Sequence, residues 1–278
     1  MKNLISVIIT TKNRISKIER AINSVFNQSY KNIELIIVDD ASSDGTPILI
    51  KSKYPNITLH ENQKSVGGSA SRNIGIKLCK GPFVAFLDDD DYFRLDKLSV
   101  QLELFLKNKQ ASLVVCNYYS IENNITKVSR YRKNINHKYY YKNIYGGTST
   151  YFTSLNLINK IGGFDEKLRS AQDWDFALKL SQIGNVLQTR EPLVYFENYD
   201  NLVRISNSSV NTYFGHRDIF IKYGCLMNKE NKNKLFFEVL YHRKMTYMNS
   251  KISLFVILKL LSKTSIFFSI KSLIKYYK

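Results

Sequence analysis

Continuous apolar runs alternate with helically spaced apolar residues along the first 116 residues. Residues 4–10 and 33–38 are runs of β-branched and aliphatic side chains, the pattern of strands buried on both faces of a parallel sheet. The apolar residues between them recur on one helix face: Ile15, Ile18, Ala21, Ile22, Val25 and Phe26. Further predicted elements are a strand at 57–59, a helix at 69–78, a strand at 83–87, a helix at 95–106 and a strand at 113–116. This alternation predicts an α/β fold: a Rossmann-like, doubly wound, mostly parallel sheet with right-handed crossovers.

The predicted strands of this half end in small and polar residues. The segments that follow them are 10–14, 39–46, 67–73 and 88–91. Because ligands of doubly wound sheets bind beyond the carboxyl ends of the strands, we expect these segments to meet in one site. Their Asp, Ser, Thr and Arg side chains suit the base, ribose and pyrophosphate of a nucleotide.

Four successive aspartates, residues 88–91, follow the strand at 83–87 directly. Carboxylates this close repel one another and raise each other's pKa unless a positive charge lies among them. Mg²⁺ or Mn²⁺ accepts one or two carboxylates and takes its remaining ligands from water and substrate phosphates. The alternative is an acidic turn that caps the helix near Leu95, but a cap needs only one aspartate.

Composition limits the class of protein. The chain has 278 residues, is 44% hydrophobic and has only 4 Pro and 12 Gly, which favours one sizeable core over long linkers. Its three widely spaced cysteines have neither disulfide-framework nor zinc-site spacing, so a reduced cytosolic compartment is expected. A strand is predicted directly after Asn3, which leaves no room for a signal peptide.

Positive charge is concentrated towards the end of the chain. The formal net charge is +18, and residues 222–278 contain 12 Lys and Arg against 2 Asp and Glu. A basic segment attracts polyanions, either nucleic acid or anionic lipid. The apolar stretch at 252–261 is shorter than the roughly 20 residues of a membrane-spanning helix. We therefore expect residues 211–278 to form basic amphipathic helices in the lipid headgroup plane; the alternative is that they pack on residues 1–210.

Five segments in order resemble the inverting glycosyltransferases of family 2, which have the A-type nucleotide-sugar-binding fold. The segments are SVIITTKNR (6–14), VDDASSDGT (38–46), GGSASRNIG (67–75), FLDDDD (86–91) and IGGFDEKLRSAQDWDFALKL (161–180). The resemblance implies a nucleotide-diphosphate sugar donor, Mn²⁺ or Mg²⁺, and single-displacement transfer with inversion at the anomeric carbon. It also implies a nucleotide-binding half at 1–116 and an acceptor half at 117–210.

The resemblance also assigns donor-binding residues. Thr10 and Lys12 match the loop around the nucleobase, and Asp40 matches the aspartate that binds uracil, with Asp39 holding that loop. Arg72 matches an arginine that reaches towards the base or phosphate. The family often has Pro-Thr-Tyr where this chain has Thr10-Thr11-Lys12, so an aromatic ring for the base is missing. This departure makes the nucleobase less certain than the pyrophosphate.

In the aspartate run, Asp88 and Asp90 match the two acids of the family's Asp-X-Asp motif. The resemblance makes Asp90 the direct metal ligand, with Asp88 as a second metal and donor contact. Asp89 is expected on the ribose side.

The resemblance places a general base at Asp173. An acceptor hydroxyl that attacks the anomeric carbon must pass its proton to a base. The family commonly has Glu-Asp where this chain has Gln172-Asp173, so Gln172 is left to hydrogen-bond an acceptor sugar. The alternative is that Asp173 caps the N-terminus of the helix predicted at 174–180.

Further residues are weaker candidates for sugar contacts. Gly147 and Thr148 match a stretch beside the donor sugar and acceptor, and Trp174 is either a core residue or an acceptor platform. Arg204 is a candidate for the pyrophosphate, with a solvated surface arginine as the alternative. His216 is a candidate metal ligand, although a lone histidine is more often structural.

The sequence thus predicts a metal-dependent, inverting glycosyltransferase. We expect it to move one sugar from a nucleotide-diphosphate donor, of which UDP-sugar is preferred, to a saccharide acceptor linked to polyprenyl diphosphate. The expected role is in surface polysaccharide such as O-antigen or capsule, at the cytoplasmic face of the membrane. A processive synthase is disfavoured because the chain has no Arg-Trp pair.

Three alternatives belong to other classes. A sugar-phosphate nucleotidyltransferase needs an early glycine-rich loop, and residues 10–14 contain no glycine. A nucleic-acid-binding protein would explain the charge but not the carboxylates at the sheet edge, so no nucleic-acid partner is expected. A non-catalytic carbohydrate-binding relative is the third alternative.

Overall fold

Nine strands form one mixed sheet in the computed structural model, which describes residues 3–122, 125–129, 135, 141–198 and 208–246. The strands are β1 Ile5–Thr11, β2 Ile33–Asp39, β3 Thr58–Glu61, β4 Phe83–Asp88, β5 Asp91–Phe93, β6 Ala111–Glu122, β7 Ile125–Val128, β8 Phe152–Ser154 and β9 Asn185–Asn198. The helices are α1 Ile18–Phe26, α2 Thr46–Lys53, α3 Gly68–Leu78, α4 Lys97–Lys107, α5 Leu155–Ile161, α6 Gln172–Ile183, α7 Ser209–Tyr223 and α8 Lys229–Thr246.

The strand order is β3-β2-β1-β4-β8-β6-β9-β5, with β7 paired to β6. Strands β1 to β4 are parallel, which confirms the predicted doubly wound half. Strand β8 is antiparallel to β4 and β6, and β9 is parallel to β6. In this register Thr10 lies opposite Asp88, and Thr11 lies opposite Asp39. The polar ends of β1, β2 and β4 therefore meet at one edge, as predicted.

Two apolar layers cover the sheet. One contains the buried faces of α1 and α4, and the other contains residues of α3, α5 and α6. The second layer also includes Ile219 and Tyr223 of α7 and Leu235 of α8, so these helices bury apolar surface against the α/β domain. The rest of the predicted lipid-facing segment, residues 247–278, lies outside the described residues.

Several local predictions differ from the structure. Helix α1 begins at Ile18, and Ile15 and Phe26 are 41% and 50% exposed, so neither belongs to its buried face. Strands β5 and β7 to β9 and helix α2 had not been predicted. No helix in the described part of the chain is both long and apolar enough to cross a membrane.

Helix α3 packs closely on β1 through Gly75, which is buried. A Cβ atom at this position would lie 2.6 Å from Cγ2 of Ile8, itself buried at 1% exposure. Because Ile8 is β-branched and enclosed, it cannot move aside at low cost. The close approach therefore requires glycine here.

Gly75→Ala is expected to lower the free energy of unfolding by about 1–2 kcal/mol, since the steric cost exceeds the gain in helix propensity. Urea denaturation followed by circular dichroism measures this change. The control, Lys77→Ala, removes an exposed side chain from the same helix. Its effect should stay within about 0.5 kcal/mol. Equal stability of Gly75→Ala and the wild-type protein would contradict the packing argument.

Candidate functional site

A cleft of about 800 Å³ opens where the polar strand ends meet helix α6. It is lined by Thr10, Arg14, Gly68, Arg72, Asp88, Asp89, Asp90, Asp91, Lys142, Asn143, Gly147, Thr148, Ser170, Ala171, Gln172, Asp173, Trp174, Phe196, Thr212, His216, Glu238 and His242. Most of the predicted site residues therefore share one cavity. Lys12, Asp39 and Asp40 do not line it, and Arg204 lies outside the described residues.

Asp88, the last residue of β4, is held from two sides. Its carboxylate accepts a hydrogen bond from Nη2 of Arg72 at 2.5 Å, which is also an ion pair. The hydroxyl of Thr148 donates to the same carboxylate at 2.9 and 3.1 Å. Arg72 comes from α3 and Thr148 from the turn before β8, so Asp88 joins the two halves of the domain. The structure thus places both predicted residues against Asp88.

Asp89 turns towards the loop after β1. It accepts a hydrogen bond from the backbone N–H of Lys12 at 3.3 Å and lies 3.6 Å from Nε of Arg14. Burial raises the pKa of Asp89 to about 7, with the charges of Asp90 and Asp88 acting in the same direction. A pKa of about 7, due mainly to burial, means that this carboxyl group can change its protonation state near neutral pH.

The last two aspartates have different surroundings. Asp91 is buried and accepts a hydrogen bond from the Ser149 hydroxyl at 2.5 Å, while that hydroxyl accepts from the backbone N–H of Asp88. Asp90 lies in the turn between β4 and β5 and lines the cleft. Its backbone carbonyl accepts from Arg20 at 3.1 Å, which fixes the turn.

Asp173 stands at the start of α6 and lines the same cleft as Asp90. Its Oδ2 accepts from Nδ2 of Asn143 at 2.8 Å, and its Oδ1 accepts from the backbone N–H of Trp174 at 2.8 Å. Burial raises the pKa of Asp173 to about 6, and the charge of Asp88 adds to this rise while Arg72 opposes it. A carboxylate with a pKa near 6 is suited to accept a proton at neutral pH.

The capping alternative for Asp173 is wrong. Helix α6 begins at Gln172, and its N-cap residue is Ala171, which has no capping side chain and a left-handed backbone with φ of 58°. Asp173 is already inside the first turn. Its carboxylate accepts from the adjacent N–H of Trp174 and from the side chain of Asn143.

The carboxylates of Asp39, at the end of β2, and of Asp40 both hold loops. Oδ2 of Asp39 accepts from the backbone N–H of Ser42 at 2.8 Å, which matches the loop-holding role that the resemblance gave it. The carboxylate of Asp40 accepts from Val66 N–H, Gly67 N–H, Ser65 and Asn62 at 2.7–3.0 Å, so it holds the loop before α3. Burial alone would raise the pKa of Asp40, but these four hydrogen bonds outweigh it and lower the pKa. Asp39 is 1% exposed, and its Oδ1 has no hydrogen-bond partner among the described residues.

The remaining sugar-contact candidates lie in the cleft wall. Trp174 is only 3% exposed and packs in the core, so its ring face is not an open platform. Gln172 donates to the Leu168 carbonyl at 3.0 Å, and Gly147 precedes the turn that carries Thr148. His216 also lines the cleft.

A buried charge network fixes helix α6 against α7. Asp175 is fully buried and accepts from Lys222 at 2.9 Å and from the Tyr223 hydroxyl at 2.8 Å. Lys179 lies 3.3 Å from the same carboxylate, and Lys222 also pairs with Asp165. Removing one member of a buried ion pair strongly destabilises a protein, so this network keeps the helix that carries Asp173 in place.

The acidic edge suits a hard divalent cation. Burial, together with the charges of Asp90 and Asp88, raises the pKa of Asp89, and a cation bound at Asp88 and Asp90 would relieve the repulsion among these carboxylates. Within the described residues there is no cluster of three or more His, Cys, Asp or Glu with metal-site geometry. One or two aspartates with water and diphosphate oxygens remain a fitting ligand set for Mg²⁺ or Mn²⁺.

Arg14 and Asn143 are among the site residues that were not predicted from the sequence. Arg14 lies in the polar loop after β1, which the sequence had marked as part of the site. Its role became clear only from the structure, where it pairs with Asp89. Asn143 lies in no recognised motif, and its hydrogen bond to Asp173 depends on contacts between distant segments.

Known proteins with similar sequences are glycosyltransferases. The family model described as glycosyl transferase family 2 matches residues 6–161. An uncharacterized glycosyltransferase from Haemophilus influenzae is 28% identical over 216 residues, covering 75% of this chain and 73% of the relative. The Escherichia coli UDP-Glc:α-D-GlcNAc-diphosphoundecaprenol β-1,3-glucosyltransferase WfaP is 38% identical over 117 residues, which are 42% of this chain. The match spans about half of that relative's length, 46%.

Solved structures with the same fold include two proteins in complex with nucleotide sugars. Residues 1–349 of Staphylococcus aureus TarS in complex with UDP-GlcNAc align with a TM-score of 0.69 at 21% identity, covering 90% of this chain and 76% of TarS. The mannosyltransferase PcManGT from Pyrobaculum calidifontis, in complex with GDP-Man and Mn²⁺, aligns with a TM-score of 0.64 at 18% identity, covering 86% and 70%. At this identity they show the fold alone. With the family model spanning more than half of its residues, this chain belongs to glycosyltransferase family 2.

Proposed function

We propose that this glycosyltransferase moves one sugar from a nucleotide-diphosphate donor to a saccharide acceptor with inversion at the anomeric carbon. The observation that carries the proposal is the position of Asp90 and Asp173 on the walls of one cleft. The first belongs to the acidic edge of the sheet and the second to helix α6. A donor whose diphosphate lies at the acidic edge can thus present its sugar to Asp173.

Asp173 acts as the general base in this mechanism. It accepts the proton of the acceptor hydroxyl while the hydroxyl oxygen bonds to the anomeric carbon and the bond to the diphosphate oxygen breaks. Asn143 orients the carboxylate by donating to Oδ2 at 2.8 Å. A raised pKa of about 6 leaves the group ionised at neutral pH and strong enough to take the proton.

Asp90, with Asp88 beside it, would hold Mg²⁺ or Mn²⁺. A bound divalent cation supplies electrostatic stabilisation of the charge that develops on the leaving diphosphate. Arg72 and Arg14 add positive charge to the same edge of the cleft. Asp40 is not kept as the nucleobase contact, because its carboxylate already accepts four hydrogen bonds from the loop before α3.

Relatives support a UDP-sugar donor and a lipid-linked acceptor. WfaP and WfgD of Escherichia coli are both named for transfer from UDP-Glc to α-D-GlcNAc-diphosphoundecaprenol. We infer a polyprenyl-diphosphate-linked saccharide as the acceptor and surface-polysaccharide assembly as the setting. The basic segment at 222–278 would hold the enzyme at the cytoplasmic membrane face.

Asp90→Ala is expected to abolish the metal-dependent part of donor binding. With Mn²⁺ present and UDP at about 100 times its dissociation constant, the wild-type protein should gain about 2.7 kcal/mol of stability. Thermal unfolding with and without Mn²⁺ measures this gain, which the variant should lose. The control is Asp96→Ala, which removes an aspartate that pairs with Arg94 outside the cleft lining. A full Mn²⁺-dependent gain in Asp90→Ala would refute the metal assignment.

Asp173→Asn is expected to lower the transfer rate about 10²- to 10⁴-fold and to leave UDP binding within about twofold, because only the proton acceptor is lost. In the wild-type protein the rate should rise with pH to an apparent pKa near 6 and be flat above it, since the base works in its deprotonated form. Initial rates across pH 4.5–8 measure both effects. Asp218→Asn, on α7 and outside the cleft lining, is the control. Near-normal turnover in Asp173→Asn would contradict the assignment of Asp173 as the general base.

Replacing four lysines of the 247–278 segment by glutamine should abolish binding to vesicles that contain anionic lipid, since each lysine contributes about 1 kcal/mol near such a surface. These residues are Lys251, Lys259, Lys263 and Lys271. The control makes the same charge change at four exposed lysines: Lys31, Lys64, Lys77 and Lys109. Vesicle flotation compares the two variants. Equal flotation of both would contradict the membrane role of this segment.

A further inference from the structure

The cleft extends past Asp173, away from the nucleotide-binding strand ends, into a region formed by helices α7 and α8. Its lining there consists of Lys142, Trp174, Thr212, His216, Glu238 and His242. We call these six residues the α7–α8 pocket. It adjoins the proposed base, because the Lys142 neighbour Asn143 binds Asp173 and Trp174 follows Asp173 in α6.

The two histidines of the α7–α8 pocket lie side by side. Their ring centroids are 5.2 Å apart, and His216 meets the edge of Trp174 at 5.8 Å. Nδ1 of His216 lies 2.9 Å from the Thr212 carbonyl, which can only accept, so Nδ1 carries the hydrogen. In the neutral ring Nε2 is then a hydrogen-bond acceptor. Burial lowers the pKa of His242, and the neighbouring His216 acts in the same direction.

Glu238 balances the positive charges of the α7–α8 pocket. Its Oε1 lies 3.5 Å from Nζ of Lys142, and its Oε2 lies 3.8 Å from Nε2 of His242. A diphosphate needs an excess of positive charge, and this carboxylate would repel it. Adjacent sugar hydroxyls, which both donate and accept, match a paired carboxylate, ammonium and imidazole.

A buried donor in the wall of the α7–α8 pocket lacks a partner. Nε1 of Trp174 is enclosed and has no hydrogen-bond partner among the described residues, while the side chain is 3% exposed. A buried N–H without a partner lowers the stability of a protein by about as much as the loss of a hydrogen bond. A small adjustment of the wall on binding would let a ligand oxygen reach it. This N–H is independent of the charged pair and also favours an oxygen-rich ligand.

We propose that the α7–α8 pocket binds the saccharide residue of the acceptor, with Glu238 as its main hydrogen-bond acceptor for sugar hydroxyls. The inference rests on the proposed transferase function and adds the place and chemistry of acceptor recognition to it. The C-terminal helices then determine which acceptor is used, whereas the strand ends hold the donor.

Trp174 is the only tryptophan of the chain, so its fluorescence reports on the α7–α8 pocket. The experiment titrates the full-length protein, in UDP and Mn²⁺, with octyl glycosides of N-acetylglucosamine, glucose, galactose and mannose. At least one should give a saturable change. Glu238→Gln should raise its dissociation constant about tenfold or more, as expected for losing hydrogen bonds to a charged group. The control Glu230→Gln changes an exposed glutamate that pairs with Lys234 on the same helix and should bind as the wild-type protein does.

Kinetics separate binding from a structural effect on Asp173. In Glu238→Gln the loss should appear in the KM for the acceptor glycoside, whereas a shift of Asn143 and Asp173 would lower kcat. Three results would overturn the proposal: no saturable signal with any glycoside, equal affinity in Glu238→Gln, or displacement of the glycoside by inorganic pyrophosphate. Saturable glycoside binding without transfer from any nucleotide sugar would instead refute the proposed function, while the α7–α8 pocket would remain supported as a saccharide-binding site.

Discussion

Four successive carboxylates lie at the end of one buried strand, and those of Asp88, Asp89 and Asp91 each have a different partner. Asp88 pairs with Arg72 and Thr148, Asp89 faces Arg14 and the Lys12 N–H, and Asp91 is held by Ser149. Asp90 lines the cleft. These contacts come from α3, the loop after β1 and the turn before β8. These contacts offset the repulsion among the carboxylates and join both halves of the domain around the cleft.

The opposite wall of the cleft is stabilised by a buried charge network. Asp173 depends on α6, which the buried Asp175 ties to Lys222 and Tyr223 of α7. Helices α7 and α8 are thus part of the catalytic domain's packing rather than a detached appendage, and they also line the cleft. The same helices that fix the base complete the pocket beside it. In the proposed mechanism, the position of the base and the recognition of the acceptor are therefore coupled through α7.

Local patterns predicted the nucleotide-binding half well. The apolar runs at residues 4–10 and 33–38 became β1 and β2, because parallel strands buried on both faces need continuous hydrophobic residues. Short strands such as β5 and β8, with three residues each, carry too little periodicity to be recognised. Their pairing depends on distant segments of the chain: β8 pairs with β4 and β6, and β5 pairs with β9.

The contacts of the site were likewise predictable only where local sequence patterns determine them. The strand-end rule brought Thr10 and Asp88 to one edge, which the register confirms. It could not tell Asp39 from Asp40, since the hydrogen bonds that engage Asp40 come from the loop at residues 62–67. Nor could it find Asn143 or Glu238, whose positions depend on long-range packing rather than on a motif.

In the proposed direct displacement, Asp173 activates the acceptor on the face of the sugar opposite the leaving diphosphate. The anomeric configuration of the product tests it most directly. With an α-linked UDP-sugar, proton NMR of the initial product should show only the β-linked glycoside. An α-linked product would contradict a single displacement and the role of Asp173 in it.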